Sequence, residues 1–311
     1  METLTYTDDF VKTFESIDFE SIIDHPNILI AAHFWDEERY QAARTCYKFM
    51  RYIDDFIDNY KSEHLTISLD EKADFEMHVN QWIASVVDPE KQSLLFPEIT
   101  ETIRRFRIPA WPMEAFANSM IYDIYNDGFE SLDAFIEYSQ GASVAPAAIF
   151  VHLCGLTHVG DTYLAPAFDV KRAAEPCAIF SYLVHIIRDF VKDHTHNLNY
   201  FPENLMKENG LTRENLLQMA QGAAITEGFR KMIGVLYAEA DKYRLKTLEV
   251  MREIMPLLQP DSRISLEIIF ALYSMVFERI DVAHGSFSTA ELNPTASEIK
   301  ARVWEVIHNQ G

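Results

Sequence analysis

Cysteine is scarce in this sequence: Cys46, Cys154 and Cys177 are the only three in 311 residues. Three scattered thiols cannot make a disulfide framework or a thiolate zinc site, and they make a reducing cytoplasm the expected compartment. Glycine and proline are also thin, at 10 and 12. So few breakers, with no alternating blocks bounded by Asn-Gly or Asp-Gly, speak against a β-rich chain. Long apolar runs are missing. The longest, Ala145 to Leu156, covers about 12 residues and contains His152, where a membrane span needs roughly 20. The N-terminal segment is acidic and has no basic stretch leading into an apolar one, so no signal peptide is expected. Basic residues are outnumbered, 27 Lys and Arg against 48 Asp and Glu, for a net charge of −21. That balance argues against nucleic acid as a partner, because phosphates call for clustered cations.

What is present reads as a globular protein, with 48% hydrophobic, 13% aromatic and 24% charged residues. Apolar residues recur at three- and four-residue spacing. This predicts helices near 37–60, 70–87, 98–107, 112–127, 131–155, 170–193, 212–221, 224–256, 263–284 and 296–309. Asp70 and Ser131 are candidate helix starts, and Gly210-Leu211-Thr212 is a break. No repeat, low-complexity tract or linker divides the chain, so residues 1–311 are expected to form one all-α domain.

Two of these helices carry acid in an ordered way. In Arg51-Tyr52-Ile53-Asp54-Asp55-Phe56-Ile57-Asp58, the arginine and three aspartates share one face, while Met50, Ile53 and Ile57 form another. Three like charges on adjacent turns repel, so this face is either solvated and held by Arg51 or built to receive a cation. The second segment is Tyr182-Leu183-Val184-His185-Ile186-Ile187-Arg188-Asp189-Phe190-Val191-Lys192-Asp193. Here Tyr182, His185, Asp189 and Asp193 fall on one stripe of an otherwise apolar helix. Carboxylates in such surroundings are costly to desolvate unless paired or metal-bound. Two Asp-x-x-x-Asp pairs facing each other across a helix bundle would make a divalent-metal site. Magnesium suits them, since it takes hard oxygen ligands and shares them with substrate phosphates.

The ordered set resembles the squalene/phytoene synthase family, head-to-head trans-isoprenyl diphosphate synthases, from about Ile28 to Phe287. Arg51 to Asp58 is similar to the family's first aspartate-rich motif. Arg188 to Asp193, with Tyr200-Phe201-Pro202 after it, is similar to the second motif and its trailing Tyr-Leu-Pro. Ser119-Met120-Ile121-Tyr122-Asp123 stands where the family has Gly-Met-x-Met-Asp, and Phe135-Ile136-Glu137-Tyr138 resembles the segment with its active-site tyrosine. Arg263 and the helix containing Tyr273 fit its C-terminal helices. There are departures. Tyr182 and His185 replace Gln and Asn, and Ala142-Ser143-Val144-Ala145-Pro146-Ala147 replaces Val-Ala-Gly-x-Val-Gly. Asn197-Leu198 replaces a Gly-Arg, and Ile28-Leu29 a Ser-Phe pair.

The resemblance implies an isoprenoid-synthase-like helical bundle with a central apolar cavity. It implies ionisation of an allylic prenyl diphosphate and attack by a second prenyl chain, with Mg2+ held by Asp54, Asp58, Asp189 and Asp193. Tyr138, Arg51 and Asp55 are its catalytic candidates; Arg51, Tyr182, His185, Arg188 and Tyr273 are its substrate-binding candidates. Asp123 either helps hold the site or is a surface acid, and His194 and His196 read as solvated. A carbocation needs a dry pocket, and 21 Phe, 14 Tyr and 4 Trp can line one. Phe150, Leu153, Ile179, Leu183, Ile186, Ile269, Phe270 and Tyr273 are the wall candidates. The chain length fits a compact synthase taking a C15 donor. Whether NADPH takes part stays open, as does the oligomeric state; transient peripheral contact with a membrane is compatible with greasy substrates. Two other readings stand beside this one: a divergent terpene synthase with a different product, and a non-catalytic relative acting in assembly or binding.

Overall fold

The computed structural model describes residues 2–21, 27–64, 66–88 and 95–309. It opens with helices α1 (Glu2–Ser16), α2 (Asn27–Ala32), α3 (Glu37–Glu63), α4 (Leu69–Val87), α5 (Pro97–Phe106) and α6 (Trp111–Tyr125). A central stretch follows: α7 (Leu132–Ser139), a π-wound turn (Gln140–Val144), α8 (Ala145–Gly155) and a hairpin of β1 (Thr157–Val159) and β2 (Thr162–Leu164). It continues through α9 (Val170–Arg188) and α10 (Phe190–Thr195). The remainder is α11 (Glu203–Glu208), α12 (Arg213–Ala220), α13 (Glu227–Ile254), α14 (Pro260–Arg279), α15 (Thr289–Leu292) and α16 (Ala296–His308). Among the described residues no helix is long and apolar enough to cross a membrane.

Helix α3 shows how the pattern becomes structure. Asp36 caps it, accepting the Arg39 amide at 2.9 Å. Ala42, Ala43, Cys46, Phe49, Met50, Ile53 and Ile57 make its buried stripe at helical spacing, leaving the acids on the other side. Arg39, only 5% exposed, holds Asp36 at 2.6 Å, pairs with Asp261 and reaches Ser262 at 3.2 Å, tying α3 to α14. At the far end the Tyr60 hydroxyl donates to Glu71 at 2.5 Å, fastening α3 to α4.

Four expectations need correction. Helix α4 starts at Ser68, not Asp70: Ser68 and Glu71 close a reciprocal capping box, which satisfies two amides where Asp70 would satisfy one. The helix expected over 131–155 contains the π turn, an inserted residue that apolar spacing cannot reveal. The helix expected over 170–193 breaks at Asp189 (φ −89°, ψ 6°), although Asp189 N–H to His185 O and Asp193 N–H to Asp189 O, both 2.8 Å, carry the helical register across. The two three-residue strands were not expected; Tyr163 is their only buried side chain, so they leave no alternation to detect.

Two apolar cores result. One is packed between α2, α3, α6, α8 and α14; the other lies around α9, α13 and the aromatic residues Phe190, Phe201, Phe229 and Phe287. Ala142, Ala147 and Tyr273 pack against both. Helix α8, which packs on both α3 and α9, stands between the two acidic segments.

Candidate active site

On α3, the half-exposed Arg51 bonds Asp54 at 2.8 Å and Asp55 at 2.6 Å. Burial and then the neighbouring Asp58 push the Asp54 carboxyl up to about 7, with Arg51 pulling the other way. Burial raises Asp58 too, opposed by Lys61 and Arg51. At the α9–α10 junction, Arg188 forks onto Asp189 at 2.8 and 2.6 Å. Burial raises Asp189, but those bonds and the adjacent guanidinium more than offset it and leave the carboxyl below its usual value. Among the described residues Asp193 has no such bonded partner; burial, Asp189 and, from α3, Asp58 push it up to about 8 against the charges of Lys192 and Arg188. Lys192 exerts its charge on all four metal-ligand candidates. The two acidic segments thus sense each other across one gap.

Behind that gap stands Asp123 of α6, buried rather than on the surface. Burial pushes it up to about 8, moderated by the hydrogen bond it accepts from the Tyr138 hydroxyl. Burial and the Asp123 charge raise Tyr138 well above its usual range, so its hydroxyl keeps its proton. Tyr182 lies 6.2 Å from Tyr138 and 6.4 Å from Tyr200, ring to ring, completing an aromatic floor. Lys61 donates to the carbonyls of Asp123 (2.7 Å) and Asn126 (3.0 Å), joining α3 to the end of α6. His185 is held neutral at about 3, by burial first and then by Arg188. Its ring meets Tyr273 edge-on at 5.4 Å, and its Nε2 has no hydrogen-bond partner among the described residues.

An apolar cavity of about 170 Å³ opens at Arg51 and Asp54 and runs inward past Cys46, Met50, Phe116, Phe150 and Leu153. Of the expected wall residues, only Phe150 and Leu153 line it. Ile179, Leu183 and Ile186 of α9 are buried in the second core, where α9 packs onto α13; Ile269 of α14 is buried in the first, and Phe270 and Tyr273 are half-buried against the second. His194 also departs from expectation. It is 7% exposed, bonded to Phe190 O at 3.0 Å and packed on Phe201 (5.3 Å); His196 is exposed as expected.

Among the described residues, no three or more His, Cys, Asp or Glu side chains are gathered as a ready-made cage for one ion. The donor set is instead all oxygen, spread over two helices and under-compensated at Asp54, Asp58 and Asp193. That fits magnesium, which keeps much of its water and combines one or two carboxylates with phosphate oxygens.

The sequence matches the squalene/phytoene synthase family over residues 25–298. The chain belongs to the squalene/phytoene synthase family. Curated relatives include the chloroplastic phytoene synthases of Narcissus pseudonarcissus and an Oncidium hybrid cultivar, each 22% identical over 182 residues. Those alignments take in 58% of this chain and 40% and 41% of the relatives, so the chain spans about two fifths of their length. Among solved structures, a dehydrosqualene synthase superposes with a TM-score of 0.68 at 16% identity, covering 98% of both chains. A squalene synthase from Alicyclobacillus acidocaldarius gives 0.62 at 13%, covering 89% of this chain and 93% of that one. At such identities the likeness is one of fold.

Within the squalene/phytoene synthase fold, two departures acquire a physical account. Asn197 has a φ of +59° and ends α10, with Leu198 N–H returning to Asp193 O at 2.9 Å. Asparagine is the side chain that best tolerates this left-handed position after glycine, so Asn197 suits a turn where glycine is expected, while Leu198 brings no cation. The altered stretch Ala142–Ala147 forms the π turn and the start of α8.

Sequence spacing could have found Lys61, which lies three residues beyond Asp58 on the acid face. The Tyr138–Asp123 pair joins two helices, and no local pattern predicts it.

Proposed function

We propose that this chain is a magnesium-dependent prenyltransferase that joins two prenyl diphosphates, farnesyl diphosphate in preference to the C20 homologue, head to head. The observation that carries this reading is the pair of acidic segments whose charges act on each other across one gap, with Asp54 of the first also bordering an apolar cavity. In the reaction, the C1–O bond of the allylic donor breaks and both electrons leave on the diphosphate, so that C1 becomes an allylic cation. The double bond of the second chain supplies the pair for the new C–C bond, and the cation this leaves on that chain closes to a cyclopropane as a proton is lost to the departing diphosphate. Bound magnesium would neutralise charge on the departing diphosphate; Asp54, Asp58, Asp189 and Asp193 would hold it. Arg51 sits at the rim, where it can take a phosphate oxygen by releasing Asp54 or Asp55. Arg188 orients Asp189, and the free Nε2 of neutral His185 can meet a diphosphate oxygen or its water. Tyr138 donates its hydroxyl to Asp123, so it can give a proton to the leaving group only when that bond is released and Asp123, protonated up to about 8, donates to it from behind. The apolar wall excludes the water that would quench the cation.

We read residues 1–311 as one catalytic unit working in the cytoplasm, with brief contact at a membrane when a lipid product leaves. The test is incubation with farnesyl or geranylgeranyl diphosphate, with and without magnesium and NADPH, following diphosphate release and identifying the lipid by mass spectrometry. A magnesium-dependent C30 or C40 hydrocarbon is expected. No release from either substrate would overturn the reading. A second reading, a terpene synthase with another product, is favoured by Ala142 and Pro146 in the cavity wall, and a cyclised or hydroxylated C15 product would establish it.

A further inference from the structure

The chain carries a net charge of −21, yet that charge is not spread evenly. Between Glu38 and Asp54, α3 has no acid and carries Arg39, Arg44, Lys48 and Arg51. Arg39 is buried against Asp36 and Asp261, and Arg51 holds Asp54 and Asp55. Arg44 and Lys48 are exposed, and among the described residues neither makes an ion pair. At ~100° per residue, Asp54, Arg51, Arg44, Lys48 and Tyr52 follow one another around α3 in steps of about 20° to 60°. The strip therefore starts at the apolar cavity, which Asp54 and Arg51 border, and ends on an aromatic edge.

That edge is Tyr52, 51% exposed, whose ring lies 5.0 Å from Trp82 of α4 and 5.9 Å from Phe96, just before α5. Trp82 and Phe96 are half-buried, and Leu95 beside them is 67% exposed. Phe49 and Phe56 of α3 brace the two rings, at 5.0 Å from Phe96 and 4.9 Å from Trp82. Unpaired cations beside exposed amphipathic rings suit the headgroup layer of a bilayer, where lipid phosphates take the charge and the rings settle at the boundary. The adjoining apolar cavity decides between a lipid surface and an acidic protein, because only the lipid surface shares its chemistry. Of the nearby acids, Asp55 is held by Arg51 and Glu101 by Arg104, which leaves Glu37 and Glu98 towards the ends of the strip. More distant acids count for little at physiological salt, where screening acts over ~8 Å.

We propose that Arg44, Lys48 and Tyr52, with Trp82, Leu95 and Phe96, form the face by which this protein rests on an anionic lipid bilayer. Arg44 and Lys48 meet lipid phosphates, and the rings enter the headgroup layer. Helix α3 then lies at the membrane with the apolar cavity on its next face, so a prenyl chain can pass between bilayer and cavity with little exposure to water. That passage rests on the prenyl-transfer reading; the docking itself does not.

The test is co-sedimentation of the full chain with vesicles of phosphatidylcholine alone and of phosphatidylcholine mixed with phosphatidylglycerol, at low and at physiological salt. Arg44→Glu with Lys48→Glu is set against Lys207→Glu with Lys242→Glu, an equal change of net charge on exposed residues of α11 and α13. Thermal melts establish that each variant is folded. The parent should prefer the mixed vesicles and lose binding as salt rises. The α3 pair should weaken that binding at least about tenfold and the control pair less than about twofold, with Tyr52→Ser in between. Diphosphate release from detergent-dispersed farnesyl diphosphate should stay unchanged in these variants. Brominated acyl chains should quench tryptophan fluorescence in the parent, and Trp82→Phe should remove most of that quenching. A parent that binds neither vesicle or does not prefer the anionic one, equal losses in the two charge pairs, or quenching that survives Trp82→Phe would each overturn the proposal. The expected vesicle binding without any diphosphate release would leave this surface standing and overturn the reaction assignment instead.

Discussion

The two acidic segments look alike in sequence and differ in how their charge is managed. On α3 one arginine, half-exposed, is shared between Asp54 and Asp55 on an unbroken helix. At the α9–α10 junction one arginine, mostly buried, forks onto Asp189, at a residue where the helix pauses, and among the described residues no cation bonds Asp193, which feels Lys192 and Arg188 through their charge alone. The first segment is thus an adaptable rim, and the second contains one satisfied carboxylate and one poised carboxylate. A repeated Asp-x-x-x-Asp pattern does not mean a repeated electrostatic role.

The largest effect should come from disabling both segments together. Asp54→Ala with Asp189→Ala should reduce diphosphate release by at least about 10³-fold while circular dichroism still reports a helical protein. An undiminished rate would remove both segments from the chemistry.

Single changes then sharpen the contrast. Asp189→Asn leaves Arg188 buried without its carboxylate and should cost roughly 3 kcal/mol in denaturant unfolding. Asp193→Asn replaces a carboxyl that burial already keeps mostly protonated at neutral pH, so without magnesium it should unfold no more easily than the parent, yet bind magnesium and diphosphate about 10-fold to 100-fold more weakly. Equal stability losses in the two variants would show that the segments are equivalent after all.

The arginines offer a smaller difference. Arg188→Lys loses a two-pronged grip that an ammonium cannot reproduce, whereas Arg51→Lys loses contacts that water partly replaces. Steady-state kinetics should show kcat/KM lowered about tenfold more by the first than by the second.

The smallest effect concerns Asp123, which feels both Asp54 and Asp58 from behind. Its carboxyl keeps a proton up to about 8 when folded, against 3.8 when unfolded. The folded state therefore binds the extra proton in that window, and this group's contribution to stability falls as pH rises through it. Asp123→Asn should lose less stability than the parent between about pH 5 and 8, the parent's extra loss being at most about 1.4 kcal/mol per pH unit in metal-free denaturant melts.

Much of this was legible beforehand. The long helices α3, α4, α6, α9, α13 and α14 announce themselves by apolar spacing, and the acid residues by their shared face. The π turn did not, since an inserted residue changes hydrogen bonding while leaving composition intact. Nor did the cavity wall: α9 looked like a lining helix because it is apolar beside its acids, but Ile179, Leu183 and Ile186 are buried in the second core instead. His194 follows a related rule: Phe201, beyond α10, packs on its ring, and no spacing within its own helix signals that contact. Long-range packing decides such residues, and spacing along one segment carries no record of it.

The π turn lies hard against α6 at Gly141, which has a meaning for the history of this chain. Because Ala115 O and Ser119 Oγ would stand 2.1 and 2.2 Å from any added Cβ, no single replacement at position 141 is open to gradual drift. In a library varied at every position and selected for an active protein, this site should empty first, while Ala142 beside it goes on accepting small side chains. Descendants of the chain would inherit the glycine together with the spacing between α6 and the turn, or change both at once.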